Sequence, residues 1–75
     1  MAKIKITQLF RYLKRGFVAM DADGTWYWYE NKPRKGIVHE TWVSNGNGDF
    51  ECLGSAFNIA PVDNWEQSLQ RVSKW

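Results

Sequence analysis

The apolar residues of this chain fall into short runs separated by turn residues, and the most informative run is Trp26 to Tyr29. Its four aromatic residues follow a tight turn at 22–24. Successive side chains of an extended strand point to opposite faces of a sheet. One pair of rings can enter a core, so the other pair faces solvent, a partner or a ligand. The pattern therefore predicts a candidate binding surface.

The segments 17–20 and 25–30 predict a β-hairpin, and the length of its loop decides which rings face the core. With a three-residue loop at 22–24 and Gly24 in the left-handed conformation, Asp21 opposes Thr25. One face then carries Val18, Met20, Trp26 and Trp28, and the other carries Phe17, Ala19, Tyr27 and Tyr29.

A two-residue loop at 23–24 would instead place Met20 with Tyr27 and Val18 with Tyr29. We prefer the three-residue loop because it gathers the most apolar set on one face. It also leaves the tyrosine hydroxyls partly solvated.

A short helix is predicted near the N-terminus. Thr7 is a suitable N-cap, the apolar positions Leu9, Phe10 and Leu13 follow helical spacing, and Gly16 is placed to end the helix. Residues 3–6, in which lysines alternate with isoleucines, are either a short strand or an ordered arm.

A second helix is predicted near the C-terminus. Asp63 followed three residues later by Glu66 is a capping-box pattern, and Trp65, Leu69 and Val72 form an apolar stripe.

Further strands are predicted between the hairpin and this helix. One lies near 37–43, its partner lies near 50–53 beyond the turn at 45–49, and 57–62 forms an edge strand that tolerates Pro61. Cys52 alternates with Phe50 and is predicted to be a small buried residue. The expected fold is α+β in a single domain, 1–75: a small antiparallel sheet of four to five strands with a short N-terminal helix and a C-terminal helix.

Length and composition limit the function classes. A chain of 75 residues buries only about 60–65% of its unfolded surface. Self-association would bury more of its 44% hydrophobic residues, so a homo-oligomer is expected. The single cysteine excludes an internal disulfide and favours a reducing, cytoplasmic location. No run reaches the roughly 18 apolar residues of a membrane span, and neither a cofactor nor a metal is expected.

The charge of the chain is polarised, although the net value is only +2. Residues 1–16 carry five basic side chains and no acid, whereas residues 37–75 carry a net charge of −3. Such a chain can hold an anion at its basic end or dock that end on the acidic end of another copy.

These patterns give a set of candidate ligand-binding residues. The rings of Phe17, Tyr27 and Tyr29 are placed to stack on a nucleobase. The basic side chains available to hold a phosphate are Arg15, Lys32, Arg34 and Lys35. The structural alternative is that a helix or another subunit covers this second face.

Other motifs are explained better by structure than by chemistry. The stretch 14–18 is similar to the basic-glycine-aromatic strand of RNA-binding sheets, but Ala19 stands where the second aromatic should be. The acidic and asparagine-rich turns at 21–24 and 45–49 lack the glycine and glutamate of a calcium loop. His39 and Glu40 would point to opposite faces of a strand, so no catalytic pair is predicted and the protein is not expected to be an enzyme.

The stretch from Asp21 to Glu30, the tripeptide at 31–33 and the segment 61–65 with Ser68 and Leu69 resemble small uncharacterised proteins of phages and prophages in gut bacteria. The resemblance spans most of the chain. It implies a phage accessory protein that either sequesters a nucleotide-type defence signal or inhibits a host protein, and it carries over no site residue.

The sequence thus predicts a non-catalytic binding module that takes a nucleotide-type ligand through an aromatic and basic surface. The alternatives are a protein-interaction or inhibitor module acting on a host protein, and a weak nucleic-acid binder whose affinity falls strongly with salt.

Overall fold

The computed structural model describes residues 3–36 and 38–73, which form a mostly β fold. The strands are β1 (Gly16–Met20), β2 (Trp26–Tyr29), β3 (Arg34–Lys35), β4 (Trp42–Val43), β5 (Phe50–Cys52) and β6 (Gln70–Val72). Two 3-10 helices span Ile6–Tyr12 and Trp65–Gln67. One antiparallel sheet has the strand order β5-β2-β1-β6, and β3 pairs with β4 in a second, two-stranded sheet. The antiparallel sheet of the predicted α+β fold is confirmed, and its helices are reduced to 3-10 segments.

The hairpin between β1 and β2 has the preferred three-residue loop. Met20 lies opposite Trp26, and the Asp21 N–H donates to the Thr25 carbonyl at 3.0 Å. Gly24 closes the loop with a φ of 92°, in the left-handed region that glycine adopts without a steric penalty. The register places Val18, Met20, Trp26 and Trp28 on one face, as predicted.

That face of the sheet is the core face. Its four side chains pack with Ile6, Leu9, Leu53, Ile59 and Val72 in one buried cluster. The Trp26 indole N–H donates to the Ala60 carbonyl at 3.2 Å, and the Trp28 indole N–H donates to the Lys14 carbonyl at 3.1 Å. Both large rings are therefore buried without an unpaired donor.

The N-terminal helix is shifted from its predicted limits. Its N-cap is Lys5, not Thr7, and the Lys5 N–H donates to the Gln8 side-chain oxygen at 2.8 Å. It ends at Tyr12, so Gly16 does not terminate it. Gly16 instead starts β1, where a Cβ would lie 2.5 Å from the Tyr29 carbonyl oxygen.

The chain before this helix is extended and tied to the core. Ile4 forms an isolated parallel bridge with Ile59, and its N–H donates to the Asn58 carbonyl at 3.0 Å. This bridge is all that the structure shows of the predicted edge strand at 57–62.

The predicted C-terminal helix is wrong beyond Gln67. Asn64, not Asp63, caps the short helix by accepting from the Glu66 N–H at 3.0 Å. The chain then continues as β6, in which Val72 pairs with Gly16 and enters the core. Pairing with the free edge of β1 outweighs the local helical pattern, because tertiary contacts routinely override intrinsic propensity.

The middle strands also pair differently from the prediction. Ile37 lies outside the described residues, and β4 pairs with β3, which arises from the basic segment predicted as a loop. β5 pairs with β2 and not with the 37–43 segment. As a result, Cys52 is exposed, although it was predicted to be buried. In the described residues, no helix combines the length and apolar character needed to span a membrane.

Candidate functional site

The second face of the four-stranded sheet carries a row of three aromatic rings that ends in an arginine. Directly paired residues share a face of an antiparallel sheet. The registers therefore align Phe50, Tyr29, Phe17 and Arg71 across β5, β2, β1 and β6. The next row contains Cys52, Tyr27 and Ala19. The prediction that Phe17, Ala19, Tyr27 and Tyr29 share this face is confirmed.

The hairpin of β3 and β4 covers part of this face, and Trp42 fixes it there. The Trp42 backbone N–H donates to Asp21 Oδ1 at 2.9 Å. Its indole N–H lies 3.1 Å from the Met20 carbonyl oxygen and 3.2 Å from that of Trp65. The element that covers this part of the face is thus a small hairpin of this chain, which was not considered from the sequence.

Tyr29 is the ring that the cover buries. Only 3% of Tyr29 is exposed, and its hydroxyl reaches the Trp42 carbonyl at 3.5 Å. The prediction of a partly solvated hydroxyl is therefore wrong for Tyr29, because Trp42, from the predicted strand near 37–43, folds back over it. Tyr27 remains half-buried.

An open cleft of about 300 Å³ lies beside the cover. We call it the aromatic cleft, and its lining residues are Asp21, Tyr27, Tyr29, Thr41, Trp42, Val43, Ser44 and Phe50.

We call the three aromatic rings on the sheet side of the aromatic cleft, Tyr27, Tyr29 and Phe50, the platform. The Tyr27 and Tyr29 ring centroids are 6.3 Å apart with planes inclined by 35°, and those of Tyr29 and Phe50 are 6.4 Å apart with planes inclined by 28°. Phe50 is 57% exposed. Because Tyr29 is buried, the ring surface that a planar ligand can contact belongs to Phe50 and to the half-buried Tyr27.

Asp21 is the one charged residue that lines the cleft among the described residues, and it is 8% exposed. Desolvation raises the pKa of this carboxyl, the hydrogen bond from the Trp42 N–H opposes the rise, and the negative charge of Asp23 adds to it. Burial also raises the pKa of Tyr29, with a further contribution from Asp21. Burial raises the pKa of Tyr27 as well, with a second contribution from Cys52. At neutral pH both tyrosines keep their protons, so the carboxylate is the acceptor of the cleft.

The four predicted basic residues do not line the cleft. Lys35 is engaged in an ion pair with Glu66 at 2.9 Å. Arg34 is exposed and pairs on β3 with Val43, which lines the cleft, just as Lys35 pairs with Trp42. Arg15 and Lys32 are exposed on segments outside it. The structure thus places Tyr27 and Tyr29 in one cleft with residues that were not predicted as site residues. Phe17 and the four basic side chains do not line this cleft.

Four residues of this face were not predicted as site residues: Asp21, Trp42, Phe50 and Arg71. Asp21 was assigned to the turn alone, and Phe50 was paired with the wrong strand. Arg71 was placed on a helix, so its alignment with Phe17 was hidden. The one local indication of a strand there was the segment 70–72, in which polar residues precede the β-branched Val72.

A second hollow of about 280 Å³ lies on the other side of β4 and contains Arg34 and His39. Within residues 3–36 and 38–73, no three or more histidine, cysteine, aspartate or glutamate side chains come close enough to hold a metal ion.

Comparison of the chain with protein-family models, with curated protein sequences and with solved structures gives no match. The argument for function therefore depends on the geometry of the aromatic cleft.

Proposed function

We propose that this protein is a non-catalytic binding module whose aromatic cleft takes a nucleotide-type ligand. The observation that carries the proposal is the accessible ring surface of Phe50 and Tyr27 beside an open volume of about 300 Å³. Stacking of one base on an aromatic side chain contributes about 1–3 kcal/mol. The volume is at the lower limit of about 300–1,000 Å³ for ligand sites, so it suits the base while the sugar and phosphate extend past the rim.

Two arginines on elements next to the platform are the proposed phosphate contacts. Arg34 lies beside Val43 at the rim, and Arg71 ends the row of rings beyond Phe17. Arginine binds phosphate through two parallel N–H donors, which fixes both position and orientation. Arg15 and Lys32 supply further positive charge, whereas Lys35 would first have to leave Glu66.

The resemblance to phage accessory proteins gives this module a biological setting. A protein that sequesters a nucleotide signal in the cytoplasm of a bacterial host must bind the nucleotide tightly and be abundant. It does not have to catalyse a reaction. An open cleft with a stacking platform and one hydrogen-bond acceptor meets that requirement.

The proposal is tested by isothermal titration of nucleoside monophosphates into the wild-type protein and two matched variants. Phe50→Ala removes an exposed ring of the platform, and Phe57→Ala removes a ring that is 37% exposed and lies outside the aromatic cleft. We expect Phe50→Ala to weaken binding about tenfold, as loss of one stacked base requires, and Phe57→Ala to leave it unchanged. Absence of binding, or equal loss in both variants, would overturn the proposal.

The phosphate contact is tested separately with the side chains that surround the platform. Arg34→Gln and Arg71→Gln should weaken binding of a monophosphate and leave binding of the corresponding nucleoside unchanged. Arg15→Gln and Lys32→Gln are expected to weaken monophosphate binding only slightly, because they lower the positive charge of the protein without removing a direct contact.

A protein partner is the second candidate function, and the exposed apolar side chains of the aromatic cleft and of the second hollow favour it. Val38 is 86% exposed, Val43 is 38% exposed and Phe50 is 57% exposed. Exposed aromatic and aliphatic groups beside a pocket are typical of interaction hot spots. A host protein retained by the wild type in high salt with nuclease, and lost by Phe50→Ala, would support this candidate.

Self-association remains part of the proposal. β5 and β6 are the outer strands of the described four-stranded sheet, and outer strands are able to pair with another chain. Native mass spectrometry of the purified protein reports the subunit count and any retained small molecule in one spectrum.

A further inference from the structure

Asp21 is a buried carboxylate in a cleft of aromatic rings, and no structural need accounts for its charge. It is 8% exposed and accepts one hydrogen bond, from the Trp42 N–H to Oδ1 at 2.9 Å. Within residues 3–36 and 38–73 the one ion pair is Lys35 with Glu66, so no cation neutralises Asp21. A neutral asparagine would accept the same hydrogen bond without the cost of burying a charge.

The second carboxylate oxygen is available to a ligand. Among the described residues, no buried side-chain nitrogen or oxygen lacks a hydrogen-bond partner. The hydrogen bond from Trp42 uses Oδ1, and none uses Oδ2. Oδ2 must therefore reach solvent, and Asp21 lines the aromatic cleft. The platform thus has a negatively charged acceptor at its edge.

We infer that Asp21 selects a guanine-type base, which presents a ring N–H and an exocyclic amino group side by side; this rests on the proposed function of the aromatic cleft. A carboxylate accepts such donors in charge-assisted hydrogen bonds, which are roughly twice as strong as neutral ones. Adenine presents a ring nitrogen acceptor on the same edge, and its lone pair would face the carboxylate.

The arrangement of the rings favours a flat base over a quaternary ammonium ion. Cages for such cations surround the charge with ring faces. Here Tyr29 is buried, so the sheet offers a ligand the two rings of Tyr27 and Phe50 and not a closed cage. A base that stacks on one of these rings can direct its edge at Asp21.

The test is isothermal titration of GMP, IMP and AMP into the wild type, Asp21→Asn and Asp23→Asn. IMP keeps the ring N–H of GMP and lacks its amino group. Asp23→Asn is the matched control because it removes the same charge two residues away, and its side-chain oxygen can still accept from the Thr25 N–H. Asp21→Asn should remain folded because its amide oxygen can accept from the Trp42 N–H.

We expect the wild type to bind GMP about 10- to 100-fold more tightly than AMP, with IMP between them, which is the range for a hydrogen bond to a charged group. Asp21→Asn should weaken the affinity for GMP by a similar factor and change the affinity for AMP by no more than about twofold. Asp23→Asn should keep the wild-type preference.

Equal affinity for GMP and AMP that Asp21→Asn does not change would overturn the inference. The proposed function would survive that result if Phe50→Ala still weakened both nucleotides, and it would fail if no nucleotide bound. Binding of choline that depends on Asp21, without a preference for GMP, would also overturn the inference and identify a cation site.

Discussion

The two faces of the hairpin between β1 and β2 are built from adjacent residues and yet have different characters. On the core face, Trp26 is 1% exposed and Trp28 is 7% exposed, each with its indole N–H bonded to a carbonyl. On the cleft face, Tyr29 is buried beneath the cover, Tyr27 is half-buried, and Phe50, the partner of Tyr29, is 57% exposed. Because side chains alternate along a strand, one short run of rings supplies both the core and part of the aromatic cleft.

The difference teaches where stability and function reside in this small domain. On the core face the side chains make apolar contacts and the indole N–H groups are hydrogen-bonded. Each apolar atom buried there stabilises the folded state. The cleft face keeps a lone carboxylate and exposed rings, and its cover is fixed by the hydrogen bonds of Trp42. Substitutions on the two faces should therefore divide into those that unfold the protein and those that change binding.

The largest effect is expected from Trp26→Ala on the core face. Removing this ring should cost about 3–5 kcal/mol, which is a large part of the roughly 4–11 kcal/mol expected for a domain of this length. Urea unfolding followed by circular dichroism measures the loss. Phe50→Ala on the cleft face is the contrast and should cost less than about 1 kcal/mol, as exposed substitutions do. Equal losses of stability in the two variants would show that the two faces contribute equally to the free energy of unfolding.

The next effect concerns Gly16, which pairs with the core residue Val72. An added Cβ would lie 2.5 Å from the Tyr29 carbonyl oxygen and 2.8 Å from the Trp28 indole nitrogen. Gly16→Ala should therefore destabilise the fold by about 1–3 kcal/mol through overpacking. Gly54→Ala is the control, since its Cβ would meet the Thr25 methyl group at 3.2 Å. A Gly16 variant as stable as the Gly54 variant would contradict this tight contact.

A smaller effect on the free energy of unfolding, and one of opposite sign, is expected from Asp21→Asn. Burial raises the folded-state pKa of Asp21 above its ordinary value of 3.8, so the protein holds this proton more tightly when folded. The stabilisation from that proton is complete below the unfolded-state value and is lost as pH rises through the folded-state pKa. At neutral pH the wild type therefore carries the cost of a buried charge, and the asparagine variant should be equally or slightly more stable.

Urea midpoints of both proteins at pH 7 and pH 4 measure this difference, which should narrow at the lower pH. An asparagine variant that is less stable at pH 7 would indicate that the charge itself supports the fold. Together with weaker GMP binding, a stability gain would show that Asp21 serves the ligand.

Local patterns explain why the hairpin was predictable from sequence. Asp23 and Gly24 define the loop, and the alternation of rings fixes the face of each residue. These features involve residues close in the chain, so the sequence specifies them without knowledge of the rest. The position of Tyr27 on the face opposite the core followed from the same alternation.

The remaining parts of the site depend on pairing between distant segments. β6 forms because the edge of β1 accepts it, whereas the apolar spacing of Trp65, Leu69 and Val72 also fits a helix. The cover over Tyr29 depends on Trp42, whose partners Asp21 and Met20 lie some twenty residues earlier. No local pattern shows such contacts, so Asp21, Trp42, Phe50 and Arg71 were found only in the structure.

The smallest effect is expected from Lys35→Met, which removes the ion pair between the cover and Glu66. The two side chains are 48% and 50% exposed, and exposed pairs contribute about 0–1 kcal/mol. Urea unfolding in low and high salt should show a loss within that range, and salt should abolish it by screening. Lys32→Met removes an exposed charge just before β3 and controls for the change in net charge.

The same variant tests what holds the cover on the cleft face. If Trp42 fixes the hairpin, the Trp42 amide hydrogen that Asp21 accepts should exchange with solvent as slowly in Lys35→Met as in the wild type. Faster exchange of that amide alone, with the core strands unchanged, would assign the cover to the ion pair. The cleft would then open with rising salt, and nucleotide affinity would depend on ionic strength through Lys35 as well as through the arginines.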